Sequence, residues 1–435
     1  MGLSSSLRDS ESRFASYVEA ITAALGHADR TAPFRSYCTG LLLPGDRKSV
    51  EPMAARIEPA RTQAAHQSLH HFVARSDWSD EAVLAAVRSR VLPMVSQRGA
   101  IRALVIDDTG MPKKGTHSVG VARQYCGQLG KQDNCQVAVS LSAVSDHAGL
   151  PIAYRLYLPR PWIDDLARRT AAGVPVEVVF QTKPQIALDQ LRGALSAGIA
   201  QAVVLADAGY GTDTDFRDGV TELGLTYVVG IQSSTSLWRP GTQPLPPRPW
   251  SGRGRHTSLL RRDAEHQPIP ARQLALDLPK QAWRRVTWRG GSNAKLTSRF
   301  AAVRVRSLHR DTWRATPRAE EWCLIEWPAG EAEPTKYWLS TLPATISRRV
   351  LVDTAKLRWR IERDYQELKQ ELGLGHYEGR GWRGFQHHAT LCIAAYGFLI
   401  CERATIPPSK HRSPPIIKAS RLPASYRPRG SPDQD

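Results

Sequence analysis

The 435-residue sequence contains no apolar run approaching the roughly 20 residues that a helix needs to cross a bilayer, so a helical membrane protein is not expected. Its opening, MGLSSSLRDSESRF, lacks the apolar core of a secretory signal, and export is not expected either. Six cysteines (Cys38, Cys126, Cys135, Cys323, Cys392 and Cys401) include no CxxC pair. Structural zinc, which needs closely spaced ligands, is therefore not expected, and reduced thiols in the cytoplasm are the simplest reading. Nucleotide hydrolysis lacks its motifs as well. The glycine-rich GVARQYCGQLGK (120–131) has Tyr125 where a Walker A loop requires glycine, and no GxGxxG follows a strand. Serine hydrolase chemistry lacks a GxSxG elbow. The adjacent pairs His70-His71 and His387-His388 would point apart on a helix and are read as structural.

Acidic residues are also scarce: 41 Asp and Glu stand against 59 Lys and Arg, a formal net charge of +18. Such a balance calls for a polyanionic partner, either nucleic acid or an anionic membrane surface. The missing membrane span favours nucleic acid. With 41% hydrophobic and 23% charged residues the chain is globular, and its length allows two or three folding units.

Residues 1–96 read as helical, in SRFASYVEAITAALG, RTQAAHQSLHHFVARS and DEAVLAAVRSRVLPMV. This segment suits a DNA-docking domain or, nearly as well, a packing or dimerisation domain. From residue 97 the pattern turns to strands. AIRALVID (100–107) is a continuous apolar run, as in a strand covered on both faces. QVAVSLSAVSD (136–146) and LPIAYRLYLP (150–159), broken at His147-Ala-Gly149, predict a hairpin. A helix (184–198), a strand (202–207), a helix (214–224) and a strand (226–231) follow, so residues 97–231 describe a mixed α/β sheet with helices on its faces. Residues 232–336 break that rhythm with Pro, Gly and Arg. Between 231 and 345 stand 19 Lys and Arg against 9 Asp and Glu, together with eight of the twelve tryptophans. Basic residues interleaved with Trp suit a surface that tracks phosphates and stacks bases, although each single Trp is more readily a core residue. Residues 337–404 return to a strand, one long helix (347–373) ended by Gly373, and an apolar helix. Residues 405–435 read as a flexible, basic, Pro-rich tail.

Three carboxylates carry the candidate chemistry. Asp108 follows a buried strand in VIDDTG, Asp207 follows another in VLADAGYG, and Glu362 lies in RWRIERDYQELK. Acids at strand ends sit where open α/β sheets form ligand sites, although Asp there also caps helices and makes turns. On one continuous helix at roughly 100° per residue, Arg358, Glu362 and Lys369 share a ~40° sector. That arrangement can bind metal and phosphate together, or be an ordinary surface ion pair worth ~0.3–0.5 kcal/mol. Asp107 and Asp108 are adjacent, so alternation lets only one face the site; Asp108 is taken, and spacing alone does not decide between them. Lys113 and Lys114, just beyond, suit the DNA backbone.

IDDTG, LADAGYG and RWRIERDYQELK resemble the motifs of bacterial insertion-sequence transposases with an Asp-Asp-Glu triad and a Tyr-Arg-Glu-Lys signature. DDTGMPKKGTHSVGVARQYCGQLGKQDNCQ (107–136) is similar to the insertion-sequence seven-oh-one type, and the likeness runs over roughly residues 30–400. The resemblance implies an RNase H-like catalytic core carrying a β-rich insertion domain at 232–336 and an N-terminal helical domain. It implies that Asp108, Asp207 and Glu362 hold two Mg²⁺ ions, with Mn²⁺ able to substitute, for two-metal cleavage of double-stranded DNA and strand transfer. Arg358 and Lys369 would contact DNA, and Trp338 is the positional candidate for stacking a flipped base. The signature's Tyr falls on Ala355, so that hydroxyl is absent. A dimer on DNA, no nucleotide cofactor, no membrane, and a cytoplasmic, nucleoid-associated location complete the expectation. Two rivals are a non-catalytic DNA-binding protein and a structure-specific nuclease that never joins ends.

Overall fold

The computed structural model describes residues 2–405 except 98, 251, 254, 255, 257 and 291–294. The expected flexible tail lies, from residue 406 on, outside the described residues. Five helices come first: α1 (Gly2–Thr22), α2 (Thr31–Leu42), α3 (Val50–Ile57), α4 (Thr62–Ala74) and α5 (Asp80–Ser96). Then follow β1 (Ala103–Pro112), β2 (Ala122–Cys126), β3 (Lys131–Val144), β4 (Gly149–Leu156), α6 (Arg160–Ile163), α7 (Leu166–Ala171) and α8 (Lys183–Ser196). The chain continues through β5 (Val203–Ala206), α9 (Ala208–Gly211), α10 (Thr214–Glu222), β6 (Tyr227–Ile231), β7 (Ser236–Trp238), β8 (Ile269–Pro270) and α11 (Ala271–Asp277). Last come β9 (Arg284–Gly290), β10 (Lys295–Ser307), β11 (Glu321–Trp327), β12 (Lys336–Ser340), α12 (Arg348–Lys356), α13 (Trp359–Gln370) and α14 (Trp382–Thr405). These elements form two compact units. The first holds residues 2–102, 107–197 and 360–405, and the second holds 103–106 and 198–359.

The first unit is built around α14. A helix apolar on all sides belongs in a core, and every residue from Leu391 to Ile400 is buried against α1, α2, α4 and α5. Tyr17 of α1 donates its hydroxyl to the Ala394 carbonyl at 2.7 Å. The adjacent histidines serve this core and point apart, as read from the sequence. His387 stacks on Trp78 with centroids 3.6 Å apart, while the Nδ1 of His388 meets the Tyr37 hydroxyl at 2.9 Å. Burial pushes both imidazoles down to about 4. On the sheet side, β3 runs antiparallel to β1: Arg102 N donates to Val144 O at 2.8 Å, and Lys113 N to Asn134 O at 2.9 Å. β3 and β4 form the expected hairpin, paired from Ala138↔Leu156 to Val144↔Gly149 with a one-residue register shift between Leu141 and Ser142. The glycine-rich 120–131 segment is a second hairpin, β2–β3, whose Gly130 takes φ 65°.

In the second unit, β1 (Ala103–Val105) pairs parallel with β5 (Val203–Leu205), and β5 pairs parallel with β6. Beyond β6 the pairing turns antiparallel through β12, β11 and β10, with β9 and β7 also on β10. The expected mixed α/β architecture is what forms, and it fits an RNase H-like core. The tryptophans divide as their surroundings dictate. Trp238 is buried and donates to Asp311 at 2.8 Å, whereas Trp250 and Trp313 are 54% and 73% exposed.

Two glycines let α9 approach β6. A Cβ on Gly211 would lie 2.0 Å from the Gly230 carbonyl oxygen, and one on Gly230 would lie 2.9 Å from the Ala208 amide nitrogen. Both obstacles are backbone, which cannot swing aside. Gly211→Ala should therefore destabilise the protein by about 1–3 kcal/mol, as overpacking does. Thermal melting checks it; an unchanged melting temperature contradicts the close approach.

Candidate active site

β1 does not stop at the acid pair. It continues to Pro112, so Asp107 and Asp108 lie within a strand and not at its end as the sequence suggested. The strand is carried on because β3, itself 14 residues long, offers partners as far as Lys113. Alternation then sends the two side chains to opposite faces. Asp108 takes an ion pair from Lys183, the first residue of α8. α8 begins there because Thr182 and Gln185 form a capping box. Asp107 accepts from the Asp108 amide at 2.9 Å, and its charge acts on Tyr365 and Lys369 of α13. Burial pulls the Lys369 ammonium of α13 below its ordinary value, with Cys126 and the Asp107 carboxylate opposing that shift.

Asp207 stands where β5 ends. Its Oδ1 accepts from the Gly209 amide at 2.8 Å, so it caps the four-residue helix α9, and its Oδ2 lies 3.7 Å from the Arg358 guanidinium. With its side chain 45% exposed, Asp207 keeps an open side.

The single helix expected over 347–373 is two. α12 ends at Lys356 and α13 begins at Trp359, leaving Arg358 in the break. Thr354 Oγ1 donates back to the Val350 carbonyl at 2.8 Å, a bond that bends helices. The Leu357 amide then bonds Thr354 O three residues back, at 3.1 Å, which tightens and ends the turn. The shared helical sector of Arg358 with Glu362 and Lys369 therefore does not hold. Glu362 is exposed in the first turn of α13, where a carboxylate suits the helix dipole, and Lys369 is half-buried in the last. α13 is anchored to α14 by the Tyr396 hydroxyl, which donates to Asp364 at 2.8 Å. Ala355, at the signature's Tyr position, is buried at 6% exposure, so this chain uses the position for packing.

Of the remaining candidates, Lys113 donates to the Tyr377 carbonyl at 2.7 Å and Lys114 is exposed. Trp338 on β12 is half-buried, with the Lys356 ammonium 5.3 Å from its ring centroid. Lys183 was missed, because nothing in its local sequence ties α8 to β1. Asp107, Asp108, Glu362, Lys369, Lys113, Lys114 and Lys183 belong to the first unit; Asp207, Arg358 and Trp338 belong to the second. Among the described residues, no three His, Cys, Asp or Glu side chains form a ready cluster for a metal ion. The donor chemistry nevertheless fits a hard divalent cation: partly exposed carboxylate oxygens, two of them held by basic side chains.

The sequence model of the DDE superfamily endonuclease family matches residues 21–295, more than half of the chain. A probable transposase for insertion sequence element IS701 from Microchaete diplosiphon is 36% identical over 169 residues, which cover 39% of this chain and 41% of that protein. The match thus spans less than half of that relative's length. Family use of divalent metal agrees with the carboxylate donors described above. This chain belongs to the DDE superfamily endonucleases.

Proposed function

We propose that the protein is a transposase that cleaves the ends of its own insertion sequence and joins the freed 3′-OH to target DNA. The observation that carries this reading is Asp207: a partly exposed carboxylate at the end of a buried parallel strand, fixed by the Gly209 amide and the Arg358 guanidinium. The IS701 relative and the net charge of +18 support DNA as substrate. Asp207, Glu362 and one acid of the Asp107–Asp108 pair would hold the metal. When bound, two Mg²⁺ ions, or Mn²⁺ in their place, lower the pKa of the attacking water and neutralise the leaving oxygen.

The protein's own side chains do the rest. Arg358 orients Asp207, and Arg358 and Lys369 offer positive charge to the phosphate oxygens beside the cut. Exposed Lys114 extends that contact along the backbone, with Lys113 beside it and Trp338 as a candidate base contact. In the joining step the 3′-OH forms a new P–O bond as a target P–O bond breaks, so neither a nucleotide cofactor nor a covalent enzyme intermediate is needed. Bringing two element ends together calls for a dimer on double-stranded DNA, in the cytoplasm at the nucleoid.

Purified protein with Mg²⁺ and the inverted repeats bracketing its gene provides the test. Asp207→Asn and Glu362→Gln should each lower cleavage by at least about a thousandfold, each tenfold being about 1.4 kcal/mol of barrier. Undiminished cleavage by either contradicts the assignment, and hydrolysis without joining makes the protein a nuclease instead.

The same assay separates the adjacent acids. Sequence alone took Asp108, but the Lys183 ammonium engages Asp108, while the charge of Asp107, on the opposite face of β1, acts on Lys369 of α13. The larger loss is expected for Asp107→Asn. An equal or larger loss in Asp108→Asn returns the role to Asp108.

A further inference from the structure

Lys356, the last residue of α12, ends in an aromatic enclosure. Its ammonium lies 4.4 Å from the ring centroid of Trp288, 5.3 Å from Trp338 and 5.4 Å from Phe300. It also pairs with Glu326 at 2.5 Å, the two side chains being 14% and 5% exposed. Three residues on, Trp359 lies under the Arg289 guanidinium at 3.7 Å. Trp288 and Arg289 are neighbours on β9, and Phe300 stands on its partner β10, edge-on to Trp288 with centroids 5.6 Å apart. One hairpin therefore grips the chain at 356 and again at 359.

Between those grips lie Leu357 and Arg358, in the break between α12 and α13, where helical hydrogen bonding cannot fix a side chain's direction. Arg358 nonetheless reaches Asp207 at 3.7 Å. Cation–ring contacts strengthen when water is excluded, and a buried ion pair is directional. Two such anchors three residues apart leave the intervening backbone little freedom.

We propose that Lys356 and Trp359 are positioning residues, and that the β9–β10 hairpin acts through them to hold Arg358 on Asp207. This rests on the reading of Asp207 as an active-site carboxylate. It gives Trp338 and Trp288 a role toward the protein's own lysine. It also explains why an aromatic and basic hairpin accompanies a catalytic core: the hairpin sets the aim of an arginine.

The test uses the full chain in three forms: Trp288→Leu, the double variant Lys356→Met/Glu326→Gln, which removes the pair without stranding a charge, and Lys356→Arg. Hydrogen exchange is followed at amides 357–360, and DNA cleavage is resolved into kcat and KM. Trp288→Leu and the double variant should speed exchange at those amides by about tenfold, as expected for a locally released segment. They should lower kcat by about tenfold with KM for DNA within about twofold, while Lys356→Arg restores both to near wild type. Unchanged exchange in both disrupting variants overturns the proposal. So does a rise in KM with kcat preserved, which would make these side chains DNA contacts. If the wild-type protein itself cuts no DNA, the functional reading fails, and the exchange measurement still decides the clamp.

Discussion

Carboxylates left partly open beside buried strands must be held by hydrogen-bond donors or positive charge, because a low-dielectric neighbourhood penalises an unsupported anion. Much of the local architecture follows from that requirement. Asp108 is met by Lys183, which is available because a capping box starts α8 at that residue. Asp207 is met by the Gly209 amide and by Arg358. Arg358 can reach it because the helix breaks around Leu357. Of these holding groups, Arg358 is also a proposed DNA contact, so it would serve both the acid and the substrate.

Burial supplies the rigidity behind these pairs. α14 is apolar on every side and gathers the N-terminal helices around it, while its Tyr396 holds Asp364 on the Glu362 helix. In the second unit, Gly211 and Gly230 allow α9 to press on β6, which fixes where the Asp207 carboxylate begins. Trp and Arg residues on and beside β9 to β11 contact one another: Trp283, just before β9, packs edge-on to Trp327, and Arg304 lies 5.1 Å from the Trp322 ring. Trp250 and Trp313 are exposed, yet each has a neighbour of its own, His256 at 6.3 Å between centroids and Arg310 at 5.8 Å from the ring.

Period and apolarity made much of this legible in the sequence. The β3–β4 hairpin, the strand before Asp207, the apolar C-terminal helix and the mixed α/β architecture followed from alternation, run length and turn residues. Long-range partners were not legible. β1 runs past its acids because β3 extends that far, a property of the partner strand and not of VIDDTG. The 347–373 helix shows no proline or glycine at its break. The break instead coincides with a threonine back-bond, and contacts from a distant hairpin flank it. Lys183 stands 75 residues from Asp108 with no motif joining them. α2 and α3 were also not picked out by apolar spacing.

As proposed, Asp207 and its companion acids would bind a divalent cation at the DNA-cutting site. Electron paramagnetic resonance titration of Mn²⁺ into the full chain with duplex DNA present tests it without relying on activity. Saturable Mn²⁺ binding is expected, which Asp207→Asn abolishes or weakens by at least about tenfold, as removal of a charged oxygen ligand should. Mn²⁺ binding that is identical in the wild-type and Asp207→Asn proteins would contradict it.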